Sequence, residues 1–203
     1  MSAGDQATPA TCGDDRCQER AGNQLFRLRF IRFRRWTIPV GTWPGSTPFF
    51  FSASATQSFA SPASRAAFRQ RWLGRYIEHF PECTFLALDH AGRVAGYIVG
   101  ALADPALDPL FSDIGYFRTL APLTARFPAH LHINLAADAR NRGIGGRLIE
   151  AFCDHARAAG APGVHVVTAE HSRNRSFYAR LGFALEAKTT WNGQPIVFLA
   201  RRL

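Results

Sequence analysis

The chain has 203 residues, 47% of them hydrophobic, and a formal net charge of +9; its mean hydropathy is -0.10, a profile that suits one globular domain with a sizeable core and an extension. No apolar run approaches the roughly 18 residues of a membrane span, because Val94 to Ala103 is short and broken by Gly96 and Gly100. The N-terminus lacks an apolar secretory core, and Asp5, Asp14, Asp15 and Glu19 argue against a transit peptide, so we expect a cytoplasmic protein with no membrane partner.

Lys188 is the only lysine among 24 basic residues. Such a balance suits a polyanionic ligand or nucleic acid, and a compositional bias toward Ala and Arg explains it equally well. Four cysteines do not make a disulfide framework in a domain of this size. Cys83 and Cys153 are expected as buried free thiols, and Cys12 and Cys17 lack a second ligand pair for zinc.

Residues 1–23 are polar and small, which predicts a disordered tail. Residues 24–60 form a basic segment in which Arg27-Leu28-Arg29-Phe30 and Ile31-Arg32-Phe33-Arg34 alternate as an edge strand does. Thr37 to Ala60 follows without a helical period. Ser61 as N-cap, Pro62 at the first helical position and the four-residue spacing of Phe68, Trp72, Tyr76 and Phe80 predict a helix from Pro62 to His79, ending before Pro81. Thr84 to Leu88 and Arg93 to Gly100 flank Asp89-His90-Ala91-Gly92 and read as a hairpin. The aromatic, proline-rich stretch Asp104 to Pro128 reads as an irregular helix or lid.

Two central strands, His130 to Ala136 and Val164 to Ala169, are expected on either side of a helix from Gly145 to Ala159, which Gly160 terminates. A shorter helix over Ser172 to Leu181 and a last hairpin at Asn192-Gly193 complete the reading, with 61–203 as one domain.

Between the first of those strands and its helix lies Arg140-Asn141-Arg142-Gly143-Ile144-Gly145-Gly146-Arg147. Glycines let the backbone approach an anion closely, and the first turn of a helix presents unpaired N–H groups at the positive end of its dipole. A pyrophosphate suits that place. A dinucleotide fingerprint does not, because the third glycine and the alternating strand–helix units are missing, and no Gly-Lys-Ser/Thr ending marks a P-loop.

Arg140, Gly143 and Gly145 match position for position motif A of the GNAT superfamily, the acetyl-CoA-dependent N-acetyltransferases, and Asn174-Arg175-Ser176-Phe177-Tyr178 resembles its motif B. The run Phe127-Pro128-Ala129-His130-Leu131-His132-Ile133 is similar to bacterial acetyltransferases related to the acetyltransferase-like domain of O-GlcNAcase. The resemblance covers Ser61 to Leu203 and implies an α/β fold with a mixed, twisted, centrally splayed β-sheet flanked by helices. It implies acetyl-CoA as cosubstrate, with pantetheine in the splay, the acetyl group near Ile133, Asn134 and Leu135, and pyrophosphate on the N–H groups of Arg142, Gly143, Ile144, Gly145, Gly146 and Arg147. Arg142 and Arg147 would add side-chain charge there, and Arg140 would anchor the loop.

Within motif B, Tyr178 is placed to donate to the departing thiolate, a phenol near pKa 10 facing a thiol near 8.5. Asn174 either bonds the pantetheine amide or caps its short helix. An amine acceptor near pKa 10.4 must lose a proton, and His132 or Glu170 are the candidate bases, ahead of His130 and His165. Two other readings are open: an acyl-CoA-binding or sensing domain without catalysis, and a nucleic-acid-binding protein using the cluster from Arg27 to Arg35. A homodimer is left open.

Overall fold

The computed structural model describes residues 29–32, 46–54 and 56–203. The expected tail at 1–23 and the cysteines Cys12 and Cys17 lie outside the described residues. A seven-stranded sheet forms the centre, in the order β1-β2-β3-β4-β5-β7-β6. Its strands are β1 (Arg29–Arg32), β2 (Phe85–Leu88), β3 (Val94–Ala101), β4 (Ala129–Leu135), β5 (Gly163–Ala169), β6 (Ala184–Trp191) and β7 (Gln194–Arg202). Every neighbouring pair is antiparallel except β4 and β5, which are parallel. The mixed, helix-flanked sheet expected from the sequence is therefore present.

The two hairpins form where the turn chemistry put them. Asp89 accepts N–H bonds from Ala91 and Arg93 across the first turn, and Gly92 takes φ 76°. Asn192 and Gly193 both adopt positive φ in the second, the conformation that matches the twist of the flanking strands.

One departure lies before residue 61, where the expected domain begins. Helix α1 (Ser46–Ala53) forms within a stretch that carries no helical period. The run Phe49-Phe50-Phe51 has no 3.6-residue pattern, and the helix is held by its surroundings: Phe50 and Phe51 are buried and Phe49 stacks against Tyr97 at 5.8 Å. Tertiary burial overrides weak local propensity here.

The predicted helix over Pro62 to His79 is one continuous rod with an interruption. Helix α2 (Pro62–Arg69) begins with a capping box of Ser61 and Ser64, passes through a π-helical turn at Gln70–Gly74, and continues as α3 (Arg75–His79). The stretch after β3 is packed rather than lid-like. Its short helices α4 (Tyr116–Thr119) and α5 (Ala121–Arg126) accompany Phe111, Ile114, Tyr116 and Phe117, all buried.

Helix α6 (Ile144–Ala158) closes the other face, burying Ile144, Leu148, Ile149, Phe152, Cys153 and Ala156. Each large side chain so removed from water contributes about 1.5–3 kcal/mol. Gly160, at φ 83°, ends the helix, with the Ala161 and Gly160 N–H groups returning to Ala156 and Arg157. Helix α7 (Asn174–Arg180) follows β5.

The alternation of β4 divides its side chains between two cores. Leu131 belongs to the core under α6, with Ile133 and Leu135 packed against it. His130 and His132 point the other way, onto Tyr76 of α3.

Candidate active site

Strands β4 and β5 separate almost as soon as they meet. Only Ala129–Val164 and His130–His165 are in register, whereas β3 follows β4 from His130 to Leu135 and β7 follows β5 along its whole length. From Leu131 onward the β5-facing edge of β4 has no strand partner, and burial falls from complete at Ala129–Leu131 to partial at His132–Leu135. An extended ligand can take up those main-chain groups, as an added strand would.

The start of α6 faces this opening. Gly143 is its N-cap at φ 74°, with no side-chain cap, and the first return bond runs from Arg147 N–H to the Gly143 carbonyl at 3.2 Å. The N–H groups of Ile144, Gly145 and Gly146 have no partner within the helix. Nothing lies within 4 Å of where a Cβ on Gly143 would be. Gly145 is different: a Cβ there would sit 3.0 Å from Phe177 and 3.1 Å from Leu135, so this glycine lets α6, α7 and the end of β4 converge. Arg140, Arg142 and Arg147 are exposed around the loop.

Tyr178 is buried on α7 between Phe177 and Phe183, at centroid distances of 5.3 and 5.7 Å. Burial pushes its phenol well above the usual value, so the group remains a protonated donor. Asn174 opens α7 and is exposed; the Ser172 hydroxyl accepts its N–H, and the N-cap position belongs to Arg173. The Asn174 side chain does not cap the helix.

His132 sits among aromatic side chains on the far face of β4. Its Nε2 lies 2.9 Å from the Tyr76 hydroxyl, and its ring meets Trp72 at 4.9 Å. Trp72 belongs to the π-helical turn and also meets Trp191 of the last hairpin at 5.8 Å. Burial, with His165 and Arg75 adding to it, pushes His132 down to about 3, so it is neutral at pH 7. Asn134 donates to the Tyr97 hydroxyl at 2.6 Å.

The other candidate base is engaged elsewhere. The Glu170 carboxylate is bonded to Lys188 at 2.5 Å, which holds it below the ordinary carboxylate value. Cys153, whose thiol burial pushes up to about 11, is no nucleophile at neutral pH. Tyr76, Trp72 and Trp191 escape a reading of the sequence as site residues. The four-residue aromatic spacing that contains the first two signals a packed helix, and only the fold brings them to His132.

Sheet order, splay and uncapped glycine turn together define an acyltransferase-type α/β fold. Residues 50–183 match the acetyltransferase (GNAT) family. Among solved structures, the chain is similar to SsHAT at 23% identity and a TM-score of 0.64, covering 86% of this chain and 98% of that one. It is similar to an agmatine N-acetyltransferase in apo form at 15% identity and a TM-score of 0.59, over 87% and 99%. A GCN5-related N-acetyltransferase from Kribbella flavida aligns at 20% identity and a TM-score of 0.57, over 87% and 98%. These likenesses show the fold.

The chain belongs to the GNAT acetyltransferase family and is an acetyl-CoA-dependent N-acetyltransferase. Among the described residues no helix is long and apolar enough to cross a membrane.

Proposed function

We propose that the protein transfers acetyl directly from acetyl-CoA to a primary amine in the β4–β5 opening, without an acyl-enzyme. The observation that carries this reading is the joining of an unpaired strand edge to an uncapped helix start, which suits pantetheine and pyrophosphate in one ligand. The cosubstrate supplies an acetyl group activated as a thioester.

The main-chain groups of Ile133, Asn134 and Leu135 orient the acyl end, and the N–H groups from Arg142 to Gly146 hold the pyrophosphate, each charge-assisted bond stronger than a neutral one, while the Arg147 N–H is taken by the Gly143 carbonyl. Arg140 anchors the loop, and Asn174, free of a capping role, faces the pantetheine. Tyr178 donates a hydrogen bond to the leaving sulfur, and His132 accepts the proton that nitrogen loses. Glu170 is the weaker candidate because Lys188 already occupies it.

A base as weak as His132 does not strip a free ammonium ion near pKa 10.4. The dry aromatic surroundings of Trp72 and Tyr76 instead favour a neutral amine. Its proton becomes acidic only once the nitrogen lone pair is committed to the carbonyl carbon.

Gly146→Glu tests the phosphate site cleanly. A Cβ at Gly146 meets only Leu181, at an ordinary 3.5 Å, and the position is the third of α6, where a carboxylate favours the helix. Thermal stability should hold while calorimetric affinity for CoA falls by at least about tenfold, a penalty near 1.4 kcal/mol. Unchanged affinity in the folded variant would place CoA elsewhere.

A further inference from the structure

On the His132 face of the sheet, the opening between β4 and β5 is bordered by two indoles. Trp72 meets the His132 ring at 4.9 Å and 72°, and it meets Trp191 at 5.8 Å and 90°. His132 stands on β4, whereas Trp191 closes β6, and the β6–β7 hairpin lies along β5 on the side away from β4. Trp72 therefore reaches across the separated strands. All three rings are half-buried, so packing fixes them while each keeps surface for a ligand. Tyr116, itself buried, backs Trp191 at 5.5 Å and 87°.

Two indoles at a right angle form a corner with a chemical preference. A flat ring laid parallel to one of them stands edge-to-face with the other, and both arrangements are favourable because the negative face of an aromatic ring attracts a positive edge. A saturated chain fills the same space without that gain. Aromatic corners also hold cations, but the charges beside this one are against it.

Arg71, next to Trp72 in the π-helical turn, sits over the Trp191 ring at 6.0 Å with its side chain 31% exposed. Its Nε donates to Asp113 at 2.7 Å, and the buried Arg75 holds both oxygens of the same carboxylate at 2.8 and 2.9 Å. One carboxylate thus answers two guanidinium groups, which leaves a surplus positive charge beside the corner. Glu170, whose N–H bonds Pro195 of the hairpin, is bonded to Lys188. A second ammonium group brought here would meet a like charge, with both of these carboxylates already paired.

We propose that the acceptor is a primary amine on a flat aromatic body, seated between Trp72 and Trp191 with its amine toward His132, and that Arg71 discriminates against acceptors carrying a second positive charge. This rests on the reading of the β4–β5 opening as the site of acetyl transfer and names its substrate class. In the transfer the C–N bond forms and the C–S bond breaks, with the electron pair leaving on sulfur. The proton that nitrogen loses passes through His132 to solvent, and the thiolate takes a solvent proton. The aromatic body keeps water from the amine, which favours its neutral, attacking form.

CoA release from acetyl-CoA by the full chain, followed with tryptamine, hexylamine and cadaverine as acceptors, tests this. We expect kcat/KM to be highest for tryptamine, at least about fivefold above hexylamine and about tenfold above cadaverine. Trp191→Leu should raise KM for tryptamine by at least about fivefold and bring it level with hexylamine. Arg71→Gln should raise kcat/KM for cadaverine relative to hexylamine. Equal use of tryptamine and hexylamine by the wild type, a preference for cadaverine, or no acetylation of any of the three would overturn the assigned class. Unchanged preferences in the folded variants would remove Trp191 and Arg71 from acceptor selection. Thermal melting checks folding, and should Trp191→Leu not fold, the wild-type order of the three amines decides. Failure here leaves acetyl transfer standing, since the CoA calorimetry on Gly146→Glu involves no acceptor.

Discussion

Single side chains in this fold serve packing and chemistry together, and Tyr178 is the clearest case. Its ring is core between Phe177 and Phe183, while its hydroxyl is the group proposed to meet the leaving sulfur. Tyr178→Phe keeps the ring and removes the donor. We expect an unchanged melting temperature, unchanged CoA affinity and a kcat lower by about 100-fold, as for loss of a general acid. Steady-state rates with a saturating amine, together with CoA calorimetry, check this. Equal kcat values would assign the phenol to packing. Gly145 is another such position, since any side chain there pushes on Phe177, the neighbour of Tyr178, and on Leu135, as well as on the pyrophosphate proposed beside it.

At the level of elements, the site depends on how closely neighbouring pieces approach. Arg201 of β7 holds both carboxylate oxygens of Glu150 on α6, at 2.6 and 3.0 Å, and also bonds the Leu181 carbonyl after α7, tying together the pieces that frame the opening. Gly100 lets β3 approach α6: a Cβ there would collide with the His130 carbonyl and come 2.6 Å from the Phe152 ring. Gly100→Ala should therefore destabilise the protein by about 1–3 kcal/mol, the usual range for overpacking. Urea unfolding measures this, and an unchanged midpoint would mean that the sheet and helix have room to separate. The π-helical turn at Gln70–Gly74 belongs to the same scale, because an interruption of this kind re-aims side chains and here carries Trp72 onto His132.

Across the whole molecule, the buried histidines set a pH limit on stability. Burial holds His132 at about 3 and His165 at about 4, the latter despite its bond to Phe127, and pushes His130 well below 6.5 through burial and its two histidine neighbours. Each folded-state value lies below the unfolded value near 6.5, so the unfolded chain binds more protons between the two. Stability is then full above about pH 6.5 and falls as pH drops toward the folded-state values. With His132 and His165 both below pH 5 in the folded state, the slope approaches about 3 kcal/mol per pH unit near pH 5, and His130 adds to it in the same direction. Urea titrations from pH 7 to 4.5 check this, and His165→Gln should lower the slope by about one proton. A flat profile would show that the folded protein accepts protons on these rings.

The sequence by itself determined the parts whose causes are local. The turn at Asn192-Gly193, the cap at Ser61, the stop at Gly160 and the loop from Arg140 to Arg147 each follow from what a few adjacent residues allow a backbone to do. Because the proposed grip on the cosubstrate is largely through backbone groups at such a turn, that half of the candidate site was legible. Only the tertiary structure decided the rest. Helix α1 forms because Phe50 and Phe51 find a core, which no periodicity of three consecutive phenylalanines announces. Tyr76 meets His130 and His132 across 54 and 56 residues of chain. Distances between side chains so far apart are set by the packing of strand on helix, and it is those distances that give the proposed acceptor side of the site its chemistry.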